Sequence, residues 1–138
     1  MISLDCNVRV VDFVKGMEIE SDGDYTYPEL PSNSALNLEG TFTFEYDYPL
    51  SKQAKFEHVL TPDMTGMDLL VLGRVDYERI YQEEDADMGY ATPMIPGMMN
   101  RARSSGRWGI WGHVIDDLFF EAINIDINGE RISLGIGS

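Results

Sequence analysis

One cysteine, Cys6, stands in 138 residues. A lone thiol closes no intrachain disulfide, and its scarcity fits a reducing compartment. Positive charge is scarce too: 10 Lys plus Arg face 24 Asp plus Glu, a formal net charge of −14. Such a surface repels phosphate backbones and anionic bilayers, so direct nucleic-acid binding and membrane association are not expected. No apolar run approaches the roughly 20 residues needed to cross a bilayer. The first residues, Met1-Ile2-Ser3-Leu4-Asp5, lack the positive region of a secretory signal, and a cytoplasmic protein is expected. The two histidines, His58 and His113, lie far apart, outside any zinc-ligand spacing. No Walker loop, dinucleotide fingerprint or nucleophile elbow occurs, so neither a metal nor a cofactor is expected, and an enzyme is the less favoured reading.

What is present fits one globular domain over residues 1–138, with 43% hydrophobic residues, enough to build a core. Ile2, Leu4, Cys6, Val8 and Val10 alternate with polar residues, the period of a strand with one buried face. The apolar set then shifts to Val11 and Phe13, which predicts a bulge or bend at Val10–Val11 within a strand over 2–14. Cys6 lies on the apolar side and reads as a small core residue. Turn residues crowd 16–38, with a short strand expected at Met17–Glu20. Asp22 and Asp24 resemble the start of a calcium loop, but Tyr27 stands where such a loop needs glycine. Phe42, Phe44, Tyr46 and Tyr48 share one face of a strand over 41–48. With no basic residue between them, they read as a core ladder rather than a stacking platform for bases. A third strand is expected over 55–60, with His58 partly buried on it.

The strongest helix signal starts at Thr61: a Thr N-cap, Pro62 at the first position and Asp63 near the positive end. Over 61–82 a helical wheel gathers Met64, Met67, Leu70, Val71, Val75, Tyr77 and Tyr81, and turns Asp68, Asp76 and Arg79 away. The run Glu83-Glu84-Asp85-Ala86-Asp87 opposes the helix dipole, so the helix is expected to fray there. Glu83, Glu84, Asp85 and Asp87 become candidates for docking a basic partner.

Residues 88–114 are rich in Gly and Pro, lack acid beyond Gly89 and carry Arg101, Arg103 and Arg107. Met94, Ile95, Met98 and Met99 give this segment an apolar front, with a short helix expected near Met98–Ala102. The densest constellation follows: Arg107, Trp108, Trp111, His113, Asp116 and Asp117. Arg beside Trp can grip an anionic or planar ligand, which makes Arg101, Arg103, Arg107, Trp108, Trp111 and His113 ligand candidates. His113 with Asp116 and Asp117 could act as an acid–base pair, or even as three metal ligands. The arginines also have an internal use, neutralising the 83–87 run. Finally, Asn128-Gly129 separates strands over 118–127 and 130–136, a strong hairpin signal that pairs Asp126 with Arg131 and Ile125 with Ile132.

The expected fold is α+β: an antiparallel sheet of about five strands, one main helix on one face and a C-terminal β-hairpin. The expected function is a non-enzymatic acidic interaction protein that binds and masks a basic protein, in the manner of an immunity protein or inhibitor. The alternatives are a small enzyme or ligand-binding domain using segment 101–117, and an oligomeric component whose segment 94–99 is buried between subunits.

Overall fold

Period-two alternation builds every strand seen in the computed structural model, which describes residues 1–12, 29–89 and 101–138. Five strands, β1 (Ile2–Arg9), β2 (Gly40–Tyr46), β3 (Ala54–Leu60), β4 (Phe119–Asp126) and β5 (Arg131–Gly137), form one sheet in the order β1-β4-β5-β2-β3. One long helix, α1 (Gly66–Met88), packs on it. The class is α+β, but the sheet is mixed rather than antiparallel. The β4–β5 pair lies between β1 and β2, and β5 runs parallel to β2, with Thr43 opposite Arg131 and Glu45 opposite Ser133. The expected strand at Met17–Glu20, residues 13–14 of the first strand, the apolar segment 94–99 and most of the short helix at 98–102 lie outside the described residues.

The inner face of the sheet carries the core: Cys6, Val8, Phe42, Phe44, Tyr46, Phe56, Phe120, Ile123, Ile125, Ile132 and Leu134 are all buried. Burial pushes the Cys6 thiol up to about 12, with the nearby acids Glu29, Asp5 and Glu121 adding to it, so it stays protonated and inert. β1 ends at Arg9, and the bend expected at Val10–Val11 is a 3-10 turn, Val10–Asp12, pinned where the Val10 N–H donates to Leu118 O at 2.9 Å. The register slip lies earlier, between Asp5 and Val8.

The helix starts at Gly66, not Thr61. Thr65 is the N-cap and forms a capping box with Asp68: the Thr65 N–H donates to Asp68 Oδ2 at 2.9 Å, and the Asp68 N–H donates to Thr65 Oγ1. The preceding residues are held outside the helix because Asn37 and Leu36 donate to Pro62 O and Met64 O. Glycine at position 73 lets α1 lie close on the sheet, since a Cβ there would sit 2.4 Å from Leu134 Cδ1. The buried stripe contains Met67, Leu70, Tyr77 and Tyr81 as expected, but it leaves out Val75 and takes in Asp76. Val75 is 53% exposed and Asp76 is 2% exposed. The acidic run does not fray: the helix continues through it to Met88 and stops at Gly89, whose backbone is left-handed at φ 81°.

β4 and β5 pair antiparallel, with Asp126 opposite Arg131 and Ile125 opposite Ile132. The connection spans four residues, 127–130, rather than two. Its positive φ falls on Glu130, at 52°, not on Asn128 or Gly129, and Asp126 Oδ1 closes the turn by accepting the Gly129 N–H at 3.0 Å. A four-residue loop around an ordinary turn keeps the same register while releasing Ile127 and Glu130 from the ladder.

Candidate functional site

The acidic end of α1 is occupied from within. Glu84 is fully buried, and its carboxylate accepts from Ser104 Oγ and from the backbone N–H groups of Gly106 (2.9 Å), Trp108 (2.9 Å), Gly109 (3.1 Å) and Ile110 (3.4 Å). Burial pushes this carboxyl up. The bonds from Ser104, Trp108, Gly106 and Ile110 together outweigh burial and hold it below its ordinary value. Gly106 is needed for the approach, because a Cβ there would lie 2.6 Å from Glu84 Oε1.

On one flank, Arg107 grips Asp87 at two oxygens, Nε to Oδ2 and NH2 to Oδ1, both at 2.9 Å, and also reaches Glu83. The Arg107 hydrogen bonds hold the Asp87 carboxyl down to about 2. On the other flank, buried Arg101 donates to Asp85 Oδ1 at 2.7 Å and lies over the Tyr81 ring at 5.0 Å. Arg101 and Arg107 thus fulfil the internal use foreseen for them. Arg103 does not: it is exposed and reaches Ser51 Oγ at 3.3 Å. Trp108 packs edge-on against Phe56, with ring centroids 6.0 Å apart. As docking residues the four acids are already engaged, and Glu84 presents no surface at all.

His113 sits in a separate nook. Its Nδ1 is 3.4 Å from Asp117 Oδ2, and its Nε2 is 3.3 Å from Ser138 Oγ, which in turn lies 2.9 Å from the Tyr48 hydroxyl. The Tyr81 hydroxyl donates to His113 O at 2.9 Å and fixes the backbone. Trp111, 41% exposed, stands edge-on to Tyr48 at 5.4 Å. Asp116 is not part of this group. Its side chain is exposed, and its carbonyl accepts from Arg9 NH2 at 2.8 Å. Among the described residues no cluster of three acid, histidine or cysteine side chains could hold a metal, so the His113, Asp116, Asp117 trio is not assembled.

A third polar group escaped the sequence reading. Asp76, assigned there to the solvent side, is buried against the sheet. Its Oδ2 accepts from the Tyr46 hydroxyl and lies 2.8 Å from His58 Nε2. Burial raises the Asp76 carboxyl, while the bonds from Tyr46 and His58 oppose that rise. The signal was in the spacing: Leu69, Gly73, Asp76 and Ile80 fall on one helical stripe. Tyr48 and Ser138 carried no comparable signal, because only the folded sheet brings them beside His113.

No helix among the described residues is long and apolar enough to cross a membrane. Comparison with protein families, characterised proteins and solved structures finds no match for this chain.

Proposed function

We propose that the chain is an acidic interaction protein that binds and masks a basic protein partner, as an immunity protein or inhibitor would. One observation carries this reading: five of the arginines are spent on carboxylates of the chain itself. Arg74 pairs with Glu78, Arg79 with Glu83, Arg101 with Asp85, Arg107 with Asp87, and Arg131 with Asp126. The exposed carboxylates of Asp5, Glu29, Glu39, Asp47, Glu57 and Asp63 form no ion pair among the described residues. The surplus negative charge therefore faces solvent, where it steers a cationic partner and speeds encounter. The docking surface is the outer face and rim of the sheet rather than residues 83–87, whose carboxylates hold the 101–110 segment.

The test is capture from the source lysate on immobilised protein, elution with a salt gradient, and titration of what elutes. A basic protein recovered in stoichiometric amount, with affinity falling as salt rises, is the expected result. The triple variant Asp5→Asn, Glu39→Gln, Asp47→Asn should weaken that binding at low salt and flatten its salt dependence. Salt-insensitive capture would overturn the electrostatic reading.

A second reading rests on the Ser138, His113, Asp117 chain beside exposed Trp111, an arrangement suited to a small polar ligand or to acid–base chemistry. Titration of metabolite pools followed by Trp111 fluorescence checks it. A saturable change lost in His113→Ala supports a ligand site there, and an unchanged signal in that variant removes it.

A further inference from the structure

β3 is an edge of the sheet, and the direction of its free hydrogen-bonding groups can be worked out. The Thr43 N–H donates to Glu130 O at 2.9 Å, so the odd residues of β2 point their backbone groups at β5. The even residues of β2 must then serve β3, where Phe44 lies opposite Phe56 and Phe42 opposite His58. On β3 the even residues are consumed by β2. The N–H and C=O groups of Lys55, Glu57 and Val59 point outward from the sheet.

Nothing among the described residues pairs with them. The opposite edge is different: on β1, Asn7 exchanges two backbone hydrogen bonds with Glu29, at 2.7 and 2.8 Å. The open edge is also apolar in places. Val59 is 69% exposed on β3, and Val75 is 53% exposed on α1, one residue before Asp76, which reaches His58 of β3.

The charge along this edge is ordered. Lys52 and Lys55, the lysines among the described residues, come first, and Glu57 and Asp63 follow, all exposed. Lysines at its start make the edge a poor seat for a basic strand. A strand carrying the same sequence in the opposite direction complements it. We propose that β3 pairs antiparallel with β3 of a second copy of this chain, in the register that sets Lys55 against Glu57 of the second copy on both sides of a two-fold axis at Phe56.

In this register Lys55 and Glu57 are both outward-pointing, so they form hydrogen-bonded backbone pairs as well as ion pairs on the polar face. Moving the second copy by two residues sets Glu57 against Glu57 one way, or Lys55 against Lys55 the other. The result is one continuous sheet across two copies, a form of strand addition that satisfies both free edges at once. The −14 charge of each chain opposes the association, so it is weak at low salt and tightens as long-range repulsion is screened.

Sedimentation velocity over a concentration series tests the pairing. The wild-type chain is expected to show a concentration-dependent dimer. Lys55→Glu alone and Glu57→Lys alone should each weaken it by about tenfold or more, since both symmetric pairs turn repulsive. A mixture of the two single variants should recover dimer, because each supplies the charge the other lacks, and the double variant should dimerise as the wild type does. Both side chains lie on the outer face, and circular dichroism verifies that each variant folds. A wild-type chain that stays monomeric at millimolar concentration overturns the proposal, as does a mixture of single variants that stays monomeric.

Discussion

Glu84→Ala lowers the unfolding free energy by about 4 kcal/mol, because it leaves the backbone N–H groups of Gly106, Trp108, Gly109 and Ile110, buried or part-buried, without their acceptor. Chemical denaturation measures the loss directly. Trp108, whose backbone N–H donates to Glu84, reports whether the segment opens before the rest. Substitution of exposed Glu57 by Ala, by contrast, should fall within about 0.5 kcal/mol of the wild type. The Glu84 loss also has a pH signature. A carboxyl held below its unfolded pKa contributes stability above that value and loses it as pH falls through the folded one. Glu84 starts from an ordinary 4.5, and Asp87 falls from 3.8 to about 2. The gap between wild type and Glu84→Ala should therefore be widest near neutrality and shrink on acidification below about pH 4.5. A variant that melts within a degree of the wild type at neutral pH would refute the anchoring role.

Asp76 provides the second large effect, with the opposite charge logic. Asp76→Ala should cost about 3 kcal/mol, because the buried Tyr46 hydroxyl and His58 Nε2 both lose their shared acceptor. Asp76→Asn should cost less than about 1 kcal/mol, since both neighbours use a single oxygen that an amide retains. Burial raises the Asp76 carboxyl above 3.8, so its contribution is fully present below that unfolded value and is lost as pH rises through the folded one. Asp76→Asn removes that decline. Equal destabilisation by Ala and Asn across pH would show that charge, not the shared acceptor, holds the group.

The strands were legible because alternation is local. Ile123 and Ile125 on one face, with Asn124 and Asp126 on the other, need no knowledge of the rest of the chain. The parallel pairing of β2 with β5 was not legible, since Thr43 and Arg131 meet across most of the sequence. The helix start was misread between two similar signals. Thr61-Pro62-Asp63 has the favourable proline, but Thr65 has Asp68 at capping-box spacing, and the backbone bonds from residues 36 and 37 decide between them. Within the acidic run, composition alone gave every carboxylate the same part. Only the stripe through Tyr77, Ile80 and Tyr81 singles out Glu84 as the buried one. The His113 nook was half visible: Trp111, His113 and Asp117 are neighbours in sequence, whereas Tyr48 and Ser138 arrive by topology.

The order β1-β4-β5-β2-β3 has a consequence for the chain as it leaves the ribosome. The first strand and the β2–β3 pair emerge early, yet they never touch each other in the sheet. What joins them is the β4–β5 pair, made last among the strands and lodged in the middle. Until that pair has emerged, β1 and the β2–β3 pair have no strand between them to share. Closing the sheet thus waits on pairings of large sequence separation, the kind that form slowly. The excess of acid over base along the chain keeps such chains apart.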